Sequence, residues 1–212
     1  MKQIRINSIK KSPFAQYVLL ILFAFWAGYA ANEFIAPTQN PQVHQESYKP
    51  STYLKSGASF VCFTPGKKCQ IMIIAEINRA KDSIFVQAYS FTDRDIAQAL
   101  VEANKRGAKV QILLDKNNKN DKRSAKDIIV QNNIPLRFDA PPGIAHNKVM
   151  IIDRSIVLTG SYNFSAAAYT RNTENLIILN STDLAEDYIH NWYKRWDVSK
   201  EGVAPHRQSF SR

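Results

Sequence analysis

HNKVMIIDRSIVLTGSYNFS, residues 146–165, is the most informative stretch of this 212-residue chain. Two apolar runs, Val149–Ile152 and Ile156–Thr159, enclose the polar segment Asp153–Ser155, a pattern that predicts two strands joined by a tight turn. Polar groups flank both strands: His-x-Lys at the start of the first, Asp directly after it, and Gly-Ser-x-Asn after the second. The hairpin is therefore expected to bring the polar groups at its open end to one level.

His146 and Lys148 are two residues apart at the start of the first strand, so their side chains are expected to project to the same face. The returning strand should place Ser161 and Asn163 beside them, with Gly160 allowing close approach. A cation with hydroxyl and amide donors stabilises the equatorial oxygens of a phosphate that becomes five-coordinate. A neutral imidazole is a competent nucleophile toward phosphorus at pH 7, and its protonated form is a competent acid.

Strand and helix patterns alternate before this hairpin and continue after it. Further strands are predicted at Ser59–Phe63, Ser83–Tyr89, Lys109–Leu114, Leu136–Phe138 and Leu176–Leu179. Helices are predicted at Cys69–Ala80, Asp93–Arg106, Asp121–Gln131 and Asp183–Trp196. Thr92 and Asp95 suggest a capping box for the second helix, and Gly107 suggests its C-terminal cap. This order predicts an α/β fold, a mixed β-sheet flanked by helices on both faces, in one domain at residues 59–198 with a polar tail at 199–212.

The N-terminal region reads as a targeting segment followed by a spacer. Residues 14–31 contain no charge and follow four cations, so residues 1–31 are expected to be a signal peptide or an N-terminal membrane anchor. Either reading predicts export to the periplasm or beyond, with inner-membrane attachment through residues 14–31 if the segment is retained. Residues 32–58, rich in Pro, Gln, Asn, Ser and Thr, predict a flexible polar linker.

The two cysteines, Cys62 and Cys69, flank a segment whose Pro-Gly pair can turn the chain back on itself. In an exported protein this favours a small local disulfide, with two reduced buried thiols as the alternative. Two cysteines alone make a poor metal site, and the sequence predicts neither a metal nor another cofactor.

The formal charge of +10 indicates a polyanionic partner such as nucleic acid or acidic lipid. Four of these positive charges precede the apolar N-terminal run, so the body still carries ten minus four, or +6. Six cations are candidates for contacting a polyanion: Lys105, Arg106, Lys116, Lys119, Lys122 and Arg123. The alternative for the last four is that they belong to a solvated loop.

The combination of His-x-Lys, Asp153 and Gly-Ser-x-Asn resembles the phospholipase D superfamily. From about Ser59 to Trp196 the chain is similar to the short bacterial endonuclease branch of that superfamily. The likeness includes FTPG, the stretch SIFVQAYSFTDRDIAQALVEANKRG and Thr-Glu-Asn at 173–175. Superfamily members require two such motifs, one histidine forming a phosphohistidine and the other protonating the leaving oxygen. This chain has one motif, and the short branch supplies the second by homodimerising.

The resemblance therefore implies an active site at a homodimer interface. His146 of one subunit would be the nucleophile, and the partner's His146 would act first as general acid and then as base for water. By the same resemblance, Glu174 hydrogen-bonds the histidine ring, and Asp153 has an ion-pairing and structural part in the motif.

Three functions remain open on the sequence. The first is a metal-independent, sequence-nonspecific endonuclease acting on DNA, with RNA as a further substrate. The alternative is a phospholipase D acting on phospholipid headgroups, because the reacting group is a phosphodiester in both cases. A non-catalytic nucleic-acid-binding module is disfavoured, since every member of the catalytic set is present.

Overall fold

The computed structural model describes Gly57 and residues 59–203, and this part of the chain forms a single eight-stranded mixed sheet with helices. The strands are β1 Ser59–Phe63, β2 Ser83–Ala88, β3 Lys109–Asp115, β4 Leu136–Asp139, β5 Lys148–Ile152, β6 Ile156–Gly160, β7 Asn175–Asn180 and β8 Lys200–Val203. The helices are α1 Lys68–Arg79, α2 Arg94–Lys105, α3 Lys126–Gln131, α4 Ala166–Thr170 and α5 Thr182–Val198, with a short 3-10 helix at Lys116–Lys119.

The strand order is β1-β7-β6-β5-β2-β3-β4-β8, with β2, β3 and β4 parallel and every other pair antiparallel. These directions place the C-terminal ends of β1, β2, β3 and β6 at the same end of the sheet as the N-terminal ends of β5 and β7. We call this end the site edge, because the candidate catalytic residues gather there.

Helices cover both faces of the sheet, as the sequence predicts. The larger core lies between one face and helices α1 and α2, and it includes Leu100 and Met150. On the opposite face, Trp192 of α5 packs in a second core with Val157. The Trp192 indole also donates a hydrogen bond of 2.9 Å to the Val86 carbonyl, so the helix is held to the central strand by a polar contact as well.

The cap of helix α2 differs from the predicted capping box. The N-cap is Asp93, whose carboxylate accepts hydrogen bonds from the Asp95 and Ile96 backbone N–H groups at 3.0 and 3.2 Å. Thr92 and Asp95 therefore do not form the box, because a carboxylate one residue further on already satisfies the first free donors of the helix. The C-terminal signal is confirmed: Gly107 has φ 106°.

The predicted helix Asp121–Gln131 is wrong in its first half, since α3 begins only at Lys126. The Asp121 carboxylate accepts a hydrogen bond from the Arg123 backbone N–H at 2.9 Å and pairs with the Arg123 guanidinium. Such local bonding favours a turn over a helix. Ser124 is also drawn into the core, where its hydroxyl contacts Asn118 at 3.2 Å.

Two short elements were not predicted from sequence. Strand β8 lies within residues 199–212, expected to be a polar tail, and pairs with β4. Helix α4 follows the hairpin and has only five residues. Residues 1–31, expected to be a signal peptide or anchor, and nearly all of the expected linker 32–58 lie outside the described residues. Among the described helices, none is both long and apolar enough to cross a membrane.

Cys62 of β1 and Cys69 of α1 form a disulfide, with Cα atoms 5.6 Å apart. Both residues are buried. The bond ties the edge strand of the sheet to the first helix across the turn that contains Pro65 and Gly66.

Candidate active site

The β5–β6 hairpin has the register that the sequence predicts. Val149 pairs with Thr159, so the next residues towards the site edge, Lys148 and Gly160, lie at the same level. His146 lies in the loop just before β5 and is exposed. The structure therefore brings the His-x-Lys segment and the start of the Gly-Ser-x-Asn segment together at the site edge.

Tyr89, which follows β2, supports both members of the His-x-Lys pair. Its ring meets the His146 ring edge to face, with centroids 4.5 Å apart, and its centroid lies 5.3 Å from the Lys148 Nζ. The Lys148 ammonium also donates to the His146 carbonyl at 3.0 Å. Sequence reasoning missed Tyr89; its only signal was its place at the end of an apolar strand, because the contact depends on the pairing of β2 with β5.

Lys148 is only 8% exposed, which is unusual for a lysine. Burial lowers the pKa of its ammonium below the ordinary 10.5, and the nearby Glu174 carboxylate opposes this by raising it. Desolvation strengthens the field of the cation on a bound anion, and Glu174 helps to keep the cation charged.

Asp115 positions the loop that carries His146. This carboxylate is fully buried at the end of β3 and accepts hydrogen bonds from the backbone N–H of Ala145 at 2.7 Å and of Asn117 at 2.9 Å. Ala145 immediately precedes His146, so the bond restrains the backbone of the candidate nucleophile. Sequence reasoning missed this residue, although an acidic residue that ends an apolar strand is a signal for it.

Ser161 is held by a reciprocal contact with Asn175. The Ser161 N–H donates to the Asn175 side-chain oxygen at 2.9 Å, and the Asn175 N–H donates to the Ser161 hydroxyl oxygen at 3.0 Å. The hydroxyl proton of Ser161 is thus left to donate to a ligand. Gly160 makes this possible: with φ 146°, it lies so near Asn175 that a Cβ would overlap the Asn175 carbonyl. The close approach predicted for Gly160 is therefore to the neighbouring strand.

Asn163 has an unsatisfied amide. Its side-chain oxygen is buried and has no hydrogen-bond partner among the described residues. Its backbone carbonyl accepts from the Ser165 N–H at 2.7 Å, which holds the loop in place. The unsatisfied atom is an acceptor, whereas binding a phosphate oxygen requires the amide N–H groups, so the phosphate-binding role of Asn163 stays a prediction.

Glu174 lies at the site edge but does not bond to His146 within the described residues. Its carboxylate accepts from the Asn172 amide at 2.9 Å, and its backbone exchanges hydrogen bonds with Thr64 at 2.8 and 3.0 Å. Its visible contribution is the electrostatic support of Lys148. The ring-orienting role implied by the resemblance stays a prediction.

Asp153, grouped with the catalytic residues in the sequence motif, does not reach the site. It follows the far end of β5, and its carboxylate accepts backbone N–H bonds from Lys81, Asp82 and Ser83 at 2.8 to 3.0 Å. It lies five residue steps along the chain from Lys148, which in an extended strand is about 17 Å. Its part is therefore structural: it secures the β5–β6 turn to the start of β2.

The cations predicted to contact a polyanion lie at opposite ends of the sheet. Lys105 and Arg106 end helix α2 just before β3 begins, away from the site edge, and both interact locally, with Glu102 and with the Ile77 carbonyl. The segment 116–123 follows the end of β3 and so lies at the site edge. Its cations are Lys116, Lys119, Lys122 and Arg123.

The described residues contain no cluster of three or more His, Cys, Asp or Glu side chains that could hold a metal ion. Independence from metal stays a prediction that requires a solution test.

One imidazole, one buried ammonium, one hydroxyl and one amide at the end of a mixed sheet are the groups of a phosphodiester hydrolase. A family model described as the cardiolipin synthase, PLD-like domain matches residues 73–196. The chain belongs to the phospholipase D superfamily.

Among its relatives is a protein of Rickettsia felis named phospholipase D, 48% identical over 148 residues that make up 70% of this chain and 74% of the relative. Among solved structures, the phospholipase D family member Nuc from Salmonella typhimurium superposes with a TM-score of 0.67 at 38% identity, covering 70% of this chain and 100% of Nuc. NucT from Helicobacter pylori gives a TM-score of 0.61 at 29% identity, covering 69% and 99%.

Proposed function

We propose that this protein is a sequence-nonspecific endonuclease that hydrolyses DNA, and also RNA, through a phosphohistidine and without a metal ion. The observation that carries this choice of substrate is the cationic segment 116–123 at the site edge, on the same end of the sheet as Lys148. A run of exposed cations beside a phosphodiesterase site attracts the backbone of a polyanion irrespective of base sequence.

In the proposed reaction, an imidazole nitrogen of His146 attacks phosphorus, a P–N bond forms, and the P–O bond to the leaving oxygen breaks. The partner's His146 gives its proton to that oxygen. Lys148, Ser161 and Asn163 stabilise the charge on the equatorial oxygens. Water then attacks the phosphohistidine, its proton passes to the partner's His146, and the P–N bond breaks.

The proposal requires a homodimer, since the sequence contains a single His-x-Lys motif and one histidine cannot be nucleophile and acid at once. Two exposed apolar side chains at the site edge support a homodimer. Phe63, at the end of β1, is 67% exposed, and Ile144, two residues before His146, is 50% exposed. Covering these two apolar side chains is favourable, and a second copy placed against the half-site would do so.

We also propose that the protein is exported, with residues 14–31 as signal or anchor. The Cys62–Cys69 disulfide supports this, because such bonds persist in oxidising compartments. In cells, both cysteines should resist alkylation until a reductant opens the disulfide. Alkylation without a reductant would count against export.

The test compares the purified full-length protein on plasmid DNA and on phosphatidylcholine vesicles, both in EDTA. We expect nicked and linear plasmid. His146→Asn should remove the activity, whereas His190→Asn, which alters an exposed histidine of α5, should keep it. Release of choline with intact plasmid would refute the nuclease function, and loss of all activity in EDTA would refute the metal-free reaction.

Phospholipase D is the second candidate, and specific observations favour it. The Rickettsia felis relative bears that name, and the exposed Phe63 and Ile144 at the site rim are also suited to a lipid surface. The vesicle arm of the same experiment detects this activity.

A further inference from the structure

A cavity of about 320 Å³ lies at the site edge and has no part in the chemistry described above. One wall follows Tyr89 and includes Ser90 and Thr92; the other follows Asn163 and includes Ser165. Ser90 follows β2, Arg123 comes after β3, and Ser165 comes after β6, so the cavity lies at the site edge, the same end of the sheet as His146 and Lys148.

The two walls are held together by backbone contacts. Phe91 and Phe164 form a β-bridge, and the N–H groups of Thr92 and Asp93 donate to the Phe164 carbonyl at 3.0 and 3.1 Å. Both phenylalanines are fully buried. The cavity is therefore a built part of the fold, with the same backbone framework as Asn163.

Two arginines line the cavity, and they differ in how their charge is compensated. The Arg123 guanidinium pairs with Asp121 through Nε and Nη2, at 3.1 and 3.2 Å, so part of its charge is offset. For Arg171, no carboxylate among the described residues lies within ion-pairing distance. Arg171 thus brings an uncompensated positive charge to the cavity.

The remaining polar groups are hydroxyls without partners. Within the described part of the chain, the side chains of Ser90, Thr92 and Ser165 make no hydrogen bond, and no acidic residue lines the cavity. Two guanidinium groups and three hydroxyls can all donate hydrogen bonds to the same ligand, which suits a tetrahedral oxyanion, above all a phosphate.

We infer that this cavity is a second phosphate subsite, which binds the phosphodiester next to the one being cleaved. It thereby favours a substrate with a chain of phosphates over a substrate with a single phosphate. The inference deepens the proposed nuclease function and rests on it. A polynucleotide carries a phosphate at every residue and can fill both sites at once, whereas phosphatidylcholine carries a single phosphate.

The test measures kcat/KM for a single-stranded oligothymidylate and for bis(p-nitrophenyl) phosphate, which has one phosphodiester. In Arg171→Ala, kcat/KM for oligothymidylate divided by kcat/KM for bis(p-nitrophenyl) phosphate should fall about tenfold, the equivalent of one charge-assisted hydrogen bond. The salt slope for oligothymidylate should also shrink by about 0.7, the value expected for one lost contact to a single strand. Arg123→Ala should show a smaller fall, because Asp121 already offsets that charge.

Arg154→Ala is the matched control. Arg154 is also exposed, pairs with Glu186, and lies in the β5–β6 turn at the far end of the sheet, so the same loss of charge there should leave the ratio and the slope unchanged. Arg171→Lys keeps the charge but loses the planar guanidinium, so its ratio of kcat/KM values should lie between those of the wild type and Arg171→Ala.

An unchanged ratio and slope in Arg171→Ala, with a wild type that cleaves oligothymidylate, would overturn the subsite and leave the nuclease function intact. A wild type that cleaves bis(p-nitrophenyl) phosphate but not oligothymidylate would overturn the nuclease function itself. If the loss in Arg171→Ala appeared on phosphatidylcholine vesicles and not on oligothymidylate, the cavity would serve a lipid headgroup and the inference would be wrong.

Discussion

Lys148 shows at the residue scale how the fold adapts an ordinary side chain to bind an anion. Its stem enters the core at the start of β5, and its ammonium lies between the Tyr89 ring and the His146 carbonyl. Burial lowers the pKa of this ammonium, and Glu174 partly restores it. Because only the protonated amine stabilises a phosphate, the charge on Glu174 should set how far activity extends into alkaline pH.

We predict that Glu174→Gln shifts the alkaline limb of the pH profile of kcat/KM to lower pH. Removing the carboxylate lowers the pKa of Lys148 further, so the cation is lost earlier as the pH rises. Glu186→Gln, on the exposed face of α5, should leave the limb in place. A limb that stays fixed or moves upward in Glu174→Gln would contradict this role.

Gly160 gives a second prediction at the residue scale, with Gly107 as its control. Both have positive φ, but a Cβ on Gly160 would overlap Asn175, whereas a Cβ on Gly107 would meet nothing within 4 Å. Alanine at Gly107 should lower the free energy of unfolding by about 1–3 kcal/mol through backbone strain alone. At Gly160 the loss should be larger by about 1–3 kcal/mol, because of the overlap. Equal losses in denaturant titrations would refute the close contact.

At the scale of elements, the sequence predicts those strands and helices that are determined by a local pattern of residues. The β5–β6 hairpin, its register and most other strands follow from apolar runs and turn residues. Strand β8 was missed because Lys200–Val203 has no apolar alternation, and only its pairing with β4 makes it a strand. Helix α3 was overextended because the periodic pattern before Lys126 competes with the side-chain bonds of Asp121.

The supporting residues of the site lay beyond sequence reasoning for the same reason. Tyr89 and Asp115 end strands that are far from His146 in sequence, and they meet it only because β2 lies between β5 and β3. The groups within residues 146–163 were predicted together because one hairpin carries them. Asp153 belongs to the same motif, but it begins the β5–β6 turn, at the end of β5 that lies opposite to the site edge.

The β5–β6 turn therefore yields a prediction that separates structure from chemistry. In Asp153→Asn, the amide cannot accept the Lys81 N–H bond that the second carboxylate oxygen accepts now. The free energy of unfolding should fall by about 0.5–1.5 kcal/mol, the net contribution of one hydrogen bond, because water can reach the exposed Lys81 N–H. The kcat of the folded protein should stay near that of the wild type. A large loss of kcat at unchanged stability would instead make Asp153 part of the reaction.

At the scale of the whole molecule, the proposed reaction requires the chain to supply half of a two-histidine site. The described residues hold one His-x-Lys segment at one end of one sheet, with the apolar side chains of Phe63 and Ile144 exposed at that end. The basic segment 116–123 and the cavity lined by Arg171 lie at the same end of the sheet, so a substrate and a second copy would both approach from there. A dimer must therefore leave a channel for the substrate between the two rims.

Subunit mixing tests this shared site most directly. Wild type and His146→Asn are combined in equal amounts, allowed to exchange subunits, and assayed on bis(p-nitrophenyl) phosphate. Random pairing leaves both histidines only in dimers of two wild-type chains, so activity should fall to about half that of the same amount of wild type alone. Activity unchanged by the inactive chain, after mass measurement has shown that exchange occurred, would contradict a site built from two copies of His146.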